Sequence, residues 1–110
     1  MHRSYPNLPP VFIAESGCAC DDHVVAGHVD DAFRTDYLKG QVAALGRAID
    51  RGVKVQGYFV WSLLDNFEWS SGYAKRFGLV HVDYATQQRT IKSSALWYRD
   101  FIREQRRLAA

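Results

Sequence analysis

Several absences bound this sequence before any motif is read. No apolar run approaches the roughly 20 residues of a membrane span, and Met1-His2-Arg3-Ser4-Tyr5-Pro6 has no apolar core of a signal peptide, so neither a span nor a leader is expected. Charge of one sign is lacking too. Fourteen Lys and Arg against twelve Asp and Glu leave a formal charge of +2, which is no footprint for nucleic acid or an anionic membrane. The one basic cluster, Arg103, Arg106 and Arg107, reads as positive charge on the last turn of a helix, where the macrodipole favours it. Cysteine is scarce: Cys18 and Cys20 alone, one residue apart. A disulfide there closes a strained, very short loop. Two thiols with no histidine pair at ligand spacing do not make a metal site, so no metal and no cofactor are expected. Free thiols in a reducing cytoplasm are the expected state, and neither has an evident role. There is no internal repeat and no low-complexity tract.

What is present belongs to a globular chain of at most one domain: 110 residues, 47% hydrophobic and 24% charged. Its centre is Gly57-Tyr58-Phe59-Val60-Trp61-Ser62-Leu63-Leu64-Asp65-Asn66-Phe67-Glu68-Trp69. This run begins apolar and β-branched, as a strand buried on both faces does. It ends with polar residues among aromatics. Two readings stand side by side. One is an aromatic-rich core strand with a solvated Glu68 at its end. The other is a sugar cup, because an indole packs on the C–H face of a sugar and a carboxylate accepts a pair of vicinal hydroxyls.

In chain order, prolines 6, 9 and 10 forbid a helix and prepare an extended approach. A buried strand is predicted at about 11–15 and stops at Glu15-Ser16-Gly17. Residues 18–30 read as a loop. A helix is predicted at about 31–51, with Phe33, Tyr37, Val42, Leu45 and Ile49 as its apolar stripe, Asp30 or Asp31 as its cap and Gly52 ending it left-handed. Gly40 and Gly46 weaken that helix or mark close approach of a neighbour. The second strand is predicted at about 55–63. A short strand follows at 78–84, then a turn at Thr86-Gln87-Gln88-Arg89. A last helix at about 93–107 has Leu96 or Trp97, Tyr98, Phe101 and Ile102 on its apolar side. Residues 73–77 are expected to fold back beside Glu68. The order implies parallel strands with crossover helices. Two such units leave unpaired edges and uncovered faces, so the chain is expected to be part of a larger α/β protein.

In a parallel array, reactive groups gather at the C-terminal strand ends. Glu15 and Glu68 stand there. A carboxylate on rigid backbone between Ala14 and Gly17 meets the needs of a nucleophile at a crowded acetal carbon, whereas Glu15 taken alone reads as a solvated loop residue.

The combined pattern resembles the C-terminal part of the family 1 glycoside hydrolases, the β-glucosidase group. The residues that carry it are Pro9-Pro10-Val11-Phe12-Ile13-Ala14-Glu15-Ser16-Gly17, Asp36-Tyr37-Leu38, the run from Gly57 to Trp69, Gly72-Tyr73, Arg76-Phe77-Gly78-Leu79-Val80-His81-Val82-Asp83-Tyr84, Ser94-Ala95 and Trp97-Tyr98. The resemblance spans nearly everything from Tyr5 to Ile102. It implies the seventh and eighth βα units of a (β/α)₈ TIM barrel, so that 1–110 is an incomplete barrel. It implies that Glu15 is the nucleophile, that Glu68 and Trp69 hold sugar hydroxyls, that Trp61 lies under the ring and that Phe77 stands near the same subsite.

The sequence departs from that family at Ser16, where Asn is usual, and at Ile91, where Pro is usual. The family's acid/base Glu, in a Thr-x-Asn-Glu-Pro type motif, has no counterpart here; Asn66-Phe67-Glu68 has the wrong spacing and lacks the proline. The resemblance therefore implies retaining hydrolysis of a β-glucoside by a longer parent, with this chain inactive alone. The alternative is a non-catalytic sugar-binding or interaction module derived from the same barrel. Exposed edges predict self-association, or complementation by the missing N-terminal part. His2-Arg3 and Tyr5-Pro6 read as the tail of a preceding helix and its exit turn, which suggests a cut frame.

Overall fold

In the computed structural model, which describes residues 4–110, the proline-bearing segment leads directly into strand β1, Val11–Ser16. Helix α1 follows at Ala32–Asp50, then strand β2 at Val55–Val60 and a single 3₁₀ turn at Trp69–Ser71. Strands β3, Val80–Val82, and β4, Arg89–Ile91, precede helix α2, Ser93–Ala109. The His2-Arg3 reading lies outside the described residues. Strands β1 and β2 pair in parallel, Val11 opposite Val55 and Ser16 opposite Val60. Strands β3 and β4 form a separate antiparallel pair. The two helices pack on each other.

Strand β2 stops three residues short of the sequence expectation, and the hydrogen bonds say why. The Trp61 amide still donates to Ser16 across the parallel pair, but the Ser62 amide turns to the Phe77 carbonyl. Leu79 then donates to Ser62, Val80 to Leu63, and Asp65 to Val80. The chain leaves β1 and takes residues 77–80 as its partner instead. Likewise the strand expected at 78–84 is only Val80–Val82, and the turn ends earlier than expected because Arg89 already pairs with Val82.

The strands are not buried on both faces. Phe12 and Phe59 sit on one side of the pair, beside the place where Gly57 would carry a side chain, and each is 57% exposed. The α1 stripe also differs from expectation: Phe33 and Ile49 are exposed, whereas Leu38 and Arg34 are buried. Gly40 and Gly46 have open space around them, so no neighbour requires a glycine at either. Gly52 ends α1 at φ 92°, the left-handed exit foreseen for it. Asp31 precedes α1 but does not cap it with its side chain, which is engaged elsewhere.

The molecule measures 50 × 35 × 19 Å with a radius of gyration of 16.1 Å, against about 13 Å for a compact domain near this size. It exposes 7731 Å², where a folded monomer of this mass exposes about 6200 Å². It is a slab with an open apolar face. Among the described residues the buried apolar side chains are Val29, Leu38, Leu79 and Val82. The buried polar ones are more numerous and include Asp22, Asp31, Arg34, Asp65, Lys92 and Ser94.

Candidate active site

Glu15 stands at the C-terminal end of β1, exposed. Its neighbour Ser16 fixes the strand end from two sides. The Ser16 carbonyl accepts the Trp61 amide at 2.9 Å, and its Oγ accepts the Tyr58 hydroxyl at 2.9 Å. Ser16, where the family pattern has Asn, is thus a hydrogen-bonded anchor. Gly17 is required by close approach: a Cβ there would lie 2.1 Å from the Trp61 carbonyl oxygen and 3.6 Å from a Phe77 ring carbon. Only glycine lets the turn after Glu15 lie against Trp61.

The same contact draws in the rest of the group. The Trp61 indole Nε1 donates to Glu68 Oε1 at 3.1 Å. This orients both the ring and the carboxylate, leaving the other oxygen, Oε2, for an incoming donor. Glu68 opens the 3₁₀ turn, its amide donating to the Gly72 carbonyl at 2.7 Å. Residues 73–77 do fold back beside it, with the Phe67 and Tyr73 rings edge to face at 5.4 Å. Trp69 follows Glu68 at φ 44°, and its side chain is largely exposed. Four of the five residues singled out in the sequence therefore lie at one end of the parallel pair: Glu15 leads through Ser16 and Gly17 to Trp61, Gly17 also lies against the Phe77 ring, and Trp61 holds Glu68. Trp69 stands beside them without a fixed indole contact.

Residues 1–107 match the family model described as glycosyl hydrolase family 1. The chain belongs to that family. It is 53% identical over 98 residues to beta-glucosidase A of Thermotoga maritima, covering 88% of this chain and 22% of that protein. It is 50% identical over 107 residues to a bifunctional beta-D-glucosidase/beta-D-fucosidase of Bifidobacterium breve, covering 93% and 23%. A solved structure of the family 1 beta-glucosidase from Thermotoga maritima superposes with a TM-score of 0.89 at 50% identity, over 93% of this chain and 23% of that one. The chain thus spans under a quarter of the length of these relatives, and its mixed α/β fold matches part of theirs.

Beneath the site, this family 1 chain carries a buried ionic cluster that the sequence reading missed. Lys92 donates to Asp22 and, at 2.8 Å, to Asp65 Oδ1. Arg76 donates to Asp65 Oδ2 at 2.7 Å and to the Val82 carbonyl at 2.8 Å. Arg34 donates to Asp22 at 2.8 Å, to Asp31, and to the Arg76 carbonyl. Asp31 also accepts the Ser94 amide at 2.8 Å and the Ser94 hydroxyl, which is why it does not cap α1. Three carboxylates meet three cations, so the cluster is neutral.

Burial alone would raise the Asp65 carboxyl, but hydrogen bonds from Lys92 and Arg76 outweigh it and hold it below its ordinary range. Burial would lower Arg34, and the hydrogen bonds to Asp22 and Asp31 lift it above its usual value instead. His81, beside the cluster, is pushed down by burial and then by the Arg76 charge. A faint signal did exist. Arg34 lies four residues before Leu38 on one helix face, and Asp65 interrupts an apolar run. Nothing local pairs Asp22 with Lys92 across 70 positions.

The described residues hold no group of three or more His, Cys, Asp or Glu side chains that could bind a metal ion. No helix among them is long and apolar enough to cross a membrane.

Proposed function

We propose that this chain carries the nucleophile side of the active site of a retaining β-glycosidase, as the C-terminal part of a longer enzyme. In this reading β1–α1 and β2–α2 are the seventh and eighth units of a (β/α)₈ barrel. Glu15 attacks the anomeric carbon, Trp61 packs under the glycone, Glu68 and Trp69 hold its hydroxyls, and Phe77 borders the subsite. The observation that carries the reading is the turn at Gly17, which lies against Trp61 while Trp61 holds Glu68. A nucleophile on rigid strand-end backbone and a sugar-orienting carboxylate thereby share one end of the sheet.

Retention needs a second carboxyl group about 5–5.5 Å from the first, acting as acid and then base. In this proposal it comes from outside these 110 residues. The substrate class follows the relatives' names, a β-glucoside or related β-glycoside. Alone, the chain is inactive, since loss of the general acid forfeits roughly 10²–10⁴-fold and loss of most of the subsite adds to that.

The test has two arms. Purified chain is assayed on an aryl β-glucoside; turnover that Glu15→Gln abolishes would refute inactivity in isolation. The chain is also grafted in place of the matching segment of the Thermotoga maritima beta-glucosidase A. The chimera is expected to hydrolyse the glucoside and to lose turnover with Glu15→Gln; in Glu15→Ala, which leaves room for an outside nucleophile, added azide is expected to displace the aryl group again and give a glycosyl azide. A chimera whose activity survives Glu15→Gln would remove Glu15 from the nucleophile role.

A non-catalytic sugar-binding module is the second reading, favoured by the Trp61–Glu68 hydrogen bond, which orients indole and carboxylate toward one another. Titration of tryptophan emission with glucose tests it. A saturable change lost in Glu68→Ala supports it, and a flat response at high sugar counts against it. The open face bearing Phe12 and Phe59 favours self-association, or complementation by the remaining barrel.

A further inference from the structure

The two thiols left without a role lie three and five residues past Glu15, in the segment that follows Gly17. Their sulfurs are 3.9 Å apart, both are free and both are part-exposed. That separation is far from the roughly 2.05 Å of a disulfide. It lies close to the bite of two thiolates on one centre. Bonds of about 2.3 Å meeting at about 90–100° at a pyramidal centre place two sulfurs about 3.3–3.5 Å apart, so the pair closes by about half an ångström on binding. The backbone already holds the pair in place. Cys20 and Arg76 exchange amide hydrogen bonds at 3.0 and 3.2 Å, and Gly17 is wedged against Trp61.

We propose that Cys18 and Cys20 form a dithiol site for a trivalent arsenical. The donor set selects that class. A four-coordinate structural ion needs more ligands than the site supplies, and the described residues offer no cluster of three. An organic trivalent arsenic centre already has one valence filled by carbon and requires two sulfurs. With an aryl arsenic oxide, two As–S bonds form and the oxide leaves as water, taking both thiol protons; arsenic stays trivalent and no oxidant is consumed.

Protonation slows this exchange, because the thiolate is the sulfur nucleophile. Burial, followed by the nearness of Cys20, pushes the Cys18 thiol up to about 12. Burial likewise raises Cys20. Thiols held in this form alkylate slowly, yet they can pass their protons to a departing oxide. The chelate also restrains the turn that follows Glu15.

Phenylarsine oxide is the probe. Intact-mass measurement of the purified chain in native buffer is expected to show one aryl-arsenic group per chain. The adduct should survive excess 2-mercaptoethanol and be stripped by dimercaptopropanol. Cys18→Ser and Cys20→Ser should each lower retention against the monothiol by about 10²-fold or more, because the second bond acts through effective concentration. Retention equal to wild type in either serine variant would overturn the proposal. A comparison that needs no variant guards against a folding defect. Capture by the native chain supports the site, and capture that appears only in urea overturns it.

Discussion

Replacing Lys92 by Met removes the ammonium that Asp22 and Asp65 share, while keeping an unbranched side chain of similar length in a fully buried position. The neutral cluster then carries one uncompensated negative charge. Breaking a buried pair by removing one partner costs about 3–5 kcal/mol. The lower part of that range applies here, because each carboxylate keeps another donor. Asp22 retains Arg34 at 2.8 Å; Asp65 retains Arg76 at 2.7 Å and the Gly78 amide at 2.9 Å. A loss of about 3 kcal/mol is a large share of the roughly 5–15 kcal/mol that holds a domain of this size folded. It corresponds to a melting shift of about 10–20 °C.

Urea unfolding of Lys92→Met, followed by tryptophan emission and by circular dichroism, measures it. The pH profile adds a second readout. Because the folded Asp65 carboxyl lies below its ordinary value, its contribution is complete above that value and is lost as pH falls through the folded one. Without Lys92 that folded value rises toward the ordinary one, so the acid loss begins at higher pH. Pairing Lys92→Met with Asp65→Asn restores neutrality and is expected to recover part of the loss. A destabilisation under about 0.5 kcal/mol, the range of an exposed ion pair, together with an unchanged acid limb, would refute a dry, mutually dependent cluster.

Gly17→Ala forces a Cβ to within 2.1 Å of the Trp61 carbonyl oxygen; it should destabilise by about 1–3 kcal/mol and alter tryptophan emission, and unchanged melting would mean that the turn gives way freely. Gly78→Ala meets the Asp65 amide nitrogen at 2.2 Å and should likewise destabilise, read by the same melts. Neutral His81 is favoured by the fold, so its contribution is present above pH 6.5 and is lost as pH falls through the depressed folded value; stability measured across that range in His81→Phe should lack this slope. Asp21→Asn removes only an exposed pair with Lys75 and should change stability by less than about 1 kcal/mol in urea unfolding.

Much of the site was legible because its residues are close in sequence and their signals are local. Glu15 ends an apolar run and Gly17 follows at once. Trp61, Glu68 and Trp69 share one short segment, whose residue order also carries the family likeness. The structure sets Glu15, Trp61 and Glu68 at one end of the parallel pair. It shortened β2 at Val60, since hydrogen bonds from 77–80 replaced those of β1, and it gave Ser16 a partner in Tyr58. The α1 stripe was misread at Phe33 and Ile49 because periodicity finds an apolar face but not what covers it. In this chain the cover went to Arg34 and Leu38.

By itself the sequence determined the two strand–helix units and the family, and it grouped the candidate residues at one sheet end. Those follow from patterns of two to four residues and from a long, specific motif. Strand β4, Arg89–Ile91, was not foreseen. The interior was decided only in three dimensions. Asp22, Asp31, Arg34, Asp65, Arg76 and Lys92 each look like ordinary surface or turn residues along the chain. Their pairing depends on loops and helix starts brought together from distant positions. A charge is stable when buried only if its partners arrive with it, and no local window of sequence contains them all. The same holds for the 3.9 Å between the Cys18 and Cys20 sulfurs, which the backbone pairing of Cys20 with Arg76 helps to set.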